Sequence, residues 1–117
     1  MQKKVLIKKI VNDIKENSMK ENGYEPLVFM QATHSGRYSK PEGTPAPLIA
    51  YNNPIFEKDN PISKDRIITD DALKRLEETY GVAANMAQQA GFDGIDIKCC
   101  HRYLASELLS AYNRPGK

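Results

Sequence analysis

Side chains able to do chemistry gather at two points in this sequence. Gln31 and His34 close the apolar run 27–32, and Lys98 and His101 follow the alternating run 92–97. Both runs read as strands, so both polar sets fall at strand C-termini, where ligand sites of α/β folds lie. Polar groups at that position can reach a bound ligand. In the second run Ile95 and Ile97 share one face, and Asp96, Lys98 and Cys100 share the other. Apolar helices on both sides would suit that charged face poorly, whereas the inner face of a closed barrel accommodates it and leads it to the mouth. Structural readings stand beside these: Lys98 paired with Asp96, and His34 bonded to backbone and shaping its loop. Cys100 beside His101 suggests a Cys-His nucleophile. However, neighbours on a strand point apart, and no orienting Asn or Asp is identifiable.

The two cysteines, Cys99 and Cys100, are adjacent. No Cys-x-x-Cys spacing supports a zinc knuckle or a redox couple, and the pair is expected to be two small buried hydrophobes in a reducing compartment. No Gly-x-Gly-x-x-Gly or Walker sequence supplies a nucleotide fingerprint.

The elements that position these groups follow from periodicity. Residues 1–22 predict a helix with the stripe Leu6, Ile7, Ile10, Val11 and Ile14, stopped by Asn22-Gly23. A strand is predicted over 27–34, apolar on both faces and therefore covered on both. Residues 35–68 form a long loop holding five of the seven prolines together with Tyr38, Tyr51 and Phe56. Loops of that length in a compact domain are usually functional. Thr69 caps a helix over 69–91 whose first turn carries Asp70 and Asp71. A strand over 93–99, a helix over 103–112 and a terminal turn over 113–117 complete the chain. Strands alternating with helices predict an α/β fold with parallel strands.

Composition bounds the partners. The 117 residues fit one small domain, with 40% apolar and 27% charged residues. A net charge of +2 is too balanced for nucleic acid or membrane as the main partner. The lysines at the N-terminus lack interleaved aromatics for base stacking and read as a solvated helix face. No run approaches the ~20 apolar residues of a membrane span, nor the ~7–15 of a secretory h-region, so the expected location is cytoplasmic.

Two motifs in order resemble those of a known family. Gln31-Ala32-Thr33-His34-Ser35-Gly36-Arg37 resembles the Gln-x-x-His-x-Gly-Arg strand end of the Old Yellow Enzyme-like NADH:flavin oxidoreductases. Ala90-Gly91-Phe92-Asp93-Gly94-Ile95-Asp96-Ile97, followed by Cys100-His101-Arg102-Tyr103-Leu104, resembles that family's fourth strand and the turn after it. The resemblance implies an FMN-binding (β/α)8 TIM barrel. This chain would be an internal piece, from helix 2 to the start of helix 4, with two parallel strands and a long capping loop after strand 3. It implies that Gln31 binds the flavin pyrimidine edge. Lys98 and His101 would donate to the substrate's carbonyl or anionic oxygen, with Lys98 where many members carry histidine, and Tyr103 would be the proton donor. Arg102 stands where glycine is common. FMN as cofactor, NADH or NADPH as reductant, and a small molecule with an activated alkene or similar acceptor are implied in turn. The phosphate-binding residues would come from later strands, so the isolated piece is expected to be inactive and to self-associate. A non-catalytic, oligomerising module that acts through protein contacts is the alternative.

Overall fold

The computed structural model describes residues 2–114, so Met1 of the predicted first helix and residues 115–117 of the predicted terminal turn lie outside the described residues. The elements run α1 (Gln2–Asn22), β1 (Phe29–Ala32), α2 (Asp70–Gln89), β2 (Gly94–Ile97) and α3 (Leu104–Ser110). Single 3-10 turns at Gly36–Tyr38 and Lys64–Arg66 interrupt the long loop. The architecture is α/β, with β1 and β2 paired as parallel strands in one two-stranded sheet. No helix among the described residues is long and apolar enough to cross a membrane.

The chain divides into two compact units. The first holds α1, β1, the C-terminal half of α2 and most of β2. Gly23 ends α1 with φ +77° and Gly91 follows α2 with φ +92°, both in the left-handed region that glycine enters without steric penalty. Asp93 ties the start of β2 to the chain before β1. Its N–H donates to the Val28 carbonyl at 2.8 Å, and its Oδ2 accepts the Val28 N–H at 2.8 Å. The unit's core is small. Val11 and Ala87 are buried, but Leu6, Ile7, Ile10 and Ile14 are exposed, and so are Leu27 and Phe29. The expectation of a strand covered on both faces is thus corrected, because a strand pair and two helices supply too little surface to cover it.

The second unit holds the long loop, the N-terminal half of α2 and everything after β2. Ala50, Ile68 and Leu104 form its core, with Leu48, Tyr51, Leu73, Leu76 and Leu108 packed around them. The loop is ordered by its own bonds. Ile49 and Ile67 form a parallel bridge, and Asn52 holds both the N–H and the carbonyl of Ile62 at 2.8 Å. Gly36 lies against the start of α3 with φ +59°, and a Cβ there would stand 2.6 Å from the Leu104 backbone nitrogen. No other residue fits that approach. Arg114 closes the unit, donating to the Ala50 carbonyl at 3.1 Å and to Asp70 at 2.8 Å. At the start of α2, Thr69 Oγ1 accepts the Ala72 N–H at 3.2 Å. Removing that cap by Thr69→Ala is expected to cost about 1 kcal/mol in urea unfolding, with the slope against urea unchanged.

The ordered strands are shorter than the predicted 27–34 and 93–99. As β2 ends at Ile97, Lys98 and Cys100 do not continue its polar face. Cys99 and Cys100 are free and exposed, which corrects the reading of both as buried hydrophobes. They sit in the segment leaving the strand, where there is no layer to bury them.

Candidate functional site

Gln31 and Asp96 occupy the C-terminal ends of the paired strands in the first unit. Gln31 Nε2 donates to Asp96 Oδ2 at 2.9 Å, and both residues are exposed. Asp96 therefore takes its hydrogen bond from an amide, and the Gln31 amide keeps one N–H and its carbonyl oxygen available. In the same unit Lys15 Nζ stands 2.9 Å from Asp93 Oδ2. The Val28 N–H, then Lys15, hold the Asp93 carboxyl below its ordinary range, and Asp93 in turn raises Lys15.

The second unit gathers Lys98, His101 and Tyr103. Lys98 Nζ lies 4.3 Å from the centroid of the Tyr103 ring, a cation–π contact. The His101 ring meets Tyr103 edge-on at 6.4 Å, and Tyr38 lies 5.8 Å from it on a tilted plane. The turn that carries them is strained. His101 and Arg102 have φ +60° and +56°, which costs non-glycine residues of order 1 kcal/mol each. Its surroundings impose that conformation. The Tyr103 N–H donates to the Cys100 carbonyl at 3.3 Å, and the Leu104 N–H donates to the His34 carbonyl at 3.2 Å. The Arg102 guanidinium stacks 3.7 Å over the Phe56 ring of the long loop.

His34 takes the structural role. Its Nδ1 accepts the Gly36 N–H at 3.0 Å, so it shapes the first turn of the loop. Burial pushes its pKa below the ordinary 6.5. Three residues on, Arg37 donates from Nη1 to Glu57 and from Nε to Glu107. The second oxygen of Glu107 accepts the Ala50 N–H at 3.1 Å. Burial opposes charge at Glu57, but bonds from Arg37 and the Asn53 N–H outweigh it and hold the carboxyl below its ordinary 4.5.

These directions fix the acid response. A lowered pKa means that the unfolded state binds the proton first, so stability falls as pH drops. Loss is expected to begin below 6.5 through His34 and to steepen below 4.5 through Glu57 and Asp93. Urea midpoints measured from pH 8 to pH 3 check this. In His34→Asn, whose side-chain oxygen can still accept the Gly36 N–H, the first stage should vanish and the second remain.

Comparison with known proteins decides the kinship. Residues 6–114 match the model of the NADH:flavin oxidoreductase / NADH oxidase family. This chain belongs to that family. It is 28% identical over 86 residues to the NADH-dependent flavin oxidoreductase nadA of Aspergillus parasiticus, covering 72% of this chain and 19% of the relative. It is 33% identical over 87 residues to an NADPH dehydrogenase of Clostridium acetobutylicum, covering 74% and 24%. It is 32% identical over 88 residues to 12-oxophytodienoate reductase 1 of rice, Oryza sativa subsp. japonica, covering 71% and 23%. The chain thus spans about a fifth to a quarter of the length of these relatives. No solved structure matches it.

The family name implies FMN, and the donor set can be tested against it. The Gln31 amide, exposed at a strand end with a donor and an acceptor free, fits the alternating donors and acceptors of a flavin pyrimidine edge. Of the residues singled out from sequence, Lys98, His101 and Tyr103 come together, while Gln31 belongs to the other unit with Asp96 as its partner. Sequence reading missed Glu57 and Glu107. Glu107 carried a signal, because it lies on the same helical face as Leu104, Leu108 and Ala111. Glu57, amid Pro54, Lys58 and Asp59 in the loop, carried none.

Proposed function

We propose that these residues form part of the active centre of an FMN-dependent NAD(P)H oxidoreductase that reduces a small molecule bearing an activated alkene or a similar acceptor. Lys98 and His101 gathered around the Tyr103 ring, directly after β2 and inside the family match, carry this reading. Gln31 holds the flavin pyrimidine edge through its free amide donor and acceptor. FMN, when bound, supplies the hydride that it receives from NADH or NADPH. Lys98 and His101 donate to the acceptor's carbonyl or anionic oxygen, where charge develops as the alkene is reduced. Lysine is a compact point charge without the fixed direction of an imidazole, so this pole tolerates variation in the acceptor's oxygen geometry. Tyr103 Oη gives the proton to the second carbon. The loop over 35–68 caps the site, tied to it through Phe56 and Arg102.

The chain is one section of an FMN-binding TIM barrel, from the second helix to the start of the fourth. The barrel's remaining strands supply the phosphate site and enclose the flavin. Its parent works on small molecules in the cytoplasm, with neither nucleic acid nor membrane as partner. Taken alone, the section lacks the phosphate site and leaves apolar surface uncovered, so it is inactive and self-associates.

Flavin titration followed by fluorescence tests this. The full-length protein is expected to take up one FMN and to oxidise NADH or NADPH when given an activated alkene. The 117-residue chain alone is expected to bind FMN at least about a hundredfold more weakly, roughly 2.7 kcal/mol, and to elute as a dimer or larger on gel filtration. Tight stoichiometric FMN binding by the isolated chain overturns the sectional reading. A flavin-loaded protein that reduces no activated alkene overturns the assigned acceptor class.

A further inference from the structure

We propose that Cys99 and Cys100 form a vicinal dithiol site that takes a trivalent organoarsenical across both sulfurs. Both thiols are free and exposed. The ladder ends at Ile97, so no strand pairing fixes the two side chains on opposite faces. Cys99 Sγ turns back to the Ile97 carbonyl at 3.4 Å, while the Cys100 carbonyl accepts the Tyr103 N–H at 3.3 Å and opens the turn. The pair thus sits where a strand becomes a turn.

Geometry selects the ligand class. Neighbouring Cα atoms are about 3.8 Å apart, below the ~4.4 Å at which unstrained disulfides begin, so a direct S–S bond between neighbours is strained. One atom inserted between the sulfurs lengthens the bridge and relieves that strain. Among the described residues no group of three or more His, Cys, Asp or Glu side chains is placed to hold a metal ion. Structural zinc calls for four donors and is poorly served here. A monosubstituted arsenical, R–As(OH)2, is satisfied by two sulfurs. Each thiol proton leaves with a hydroxyl as water, two As–S bonds replace two As–O bonds, and arsenic stays trivalent.

The test uses the reduced 117-residue chain with phenylarsine oxide at neutral pH. Thiol titration is expected to fall from two per chain to none, and the intact mass to rise by one phenylarsenic less two protons, with no chain-to-chain product. The adduct should resist a simple monothiol at about a hundredfold higher concentration than the adducts of Cys99→Ser or Cys100→Ser do, because the second sulfur binds intramolecularly. Dithiothreitol should release it. The proposal is overturned if a free thiol remains, if the arsenical joins two chains, or if the single-serine variants match the parent chain. Matching circular dichroism among the three proteins keeps folding out of the comparison.

Discussion

Replacing Arg37 with leucine is expected to lower the stability of the chain by about 3–5 kcal/mol, because it leaves buried carboxylates without their cation. The Arg37 side chain is 9% exposed, that of Glu57 5% and that of Glu107 7%. One guanidinium satisfies both carboxylates, and each carboxylate uses its other oxygen on loop backbone, at the Asn53 N–H for Glu57 and at the Ala50 N–H for Glu107. The network thus joins the Gly36–Tyr38 turn, the loop and α3 through one side chain. Leucine fills part of the volume but supplies none of the charge. Small domains are stable by about 5–15 kcal/mol, so this loss is a large share of the total. Urea unfolding followed by circular dichroism measures it. The companion variant Arg37→Leu/Glu57→Gln/Glu107→Gln removes all three charges and should recover at least about half of the loss, since the penalty lies in the unpaired charge. A loss under about 1 kcal/mol for Arg37→Leu would show that water or another cation reaches the carboxylates.

That network also marks the limit of what the sequence made legible. Helix positions were readable because capping and periodicity are local: Thr69 binds the Ala72 N–H, and Gly23 and Gly91 take the positive φ that ends a helix. The parallel pairing of β1 and β2 was readable because strands that alternate with helices run parallel, whereas alternation placed Lys98 on the polar face of a strand that ends at Ile97. Burial was the failure. Leu6, Ile10 and Leu27 have the composition of core residues and are exposed, since what covers an apolar face depends on the neighbours available and not on the face itself. The cysteines failed in the same way. Glu57 pairs with a residue 20 positions away and Glu107 with the same residue 70 positions away, separations at which no local pattern operates. Arg102 joins both classes. Its left-handed φ is what a glycine-preferring position demands, while its stack on Phe56 comes only from the fold.

If Tyr103 is the proton donor proposed above, Tyr103→Phe in the full-length, FMN-loaded protein is expected to slow reduction of an activated alkene by about 10²–10⁴-fold, the usual worth of a positioned general acid. The substitution isolates the hydroxyl. Phenylalanine keeps the ring that Lys98 faces at 4.3 Å and that Tyr38 and His101 pack against, so the cluster has no packing reason to collapse. Oxidation of NADH or NADPH in a single turnover should stay within about twofold of the parent, because that half of the cycle needs no proton at the alkene carbon. A selective loss in the alkene half separates proton donation from a general structural defect, which would slow both halves together. Lys98→Met supplies the contrast. In the proposed roles it removes the charge that would face the acceptor's oxygen, and it should then weaken acceptor binding as well as turnover, since an ammonium attracts the carbonyl oxygen before reduction and the oxyanion after it. If Tyr103→Phe leaves alkene reduction within threefold, the proton comes from elsewhere, and Tyr103 serves as the aromatic floor on which Lys98 and His101 are set.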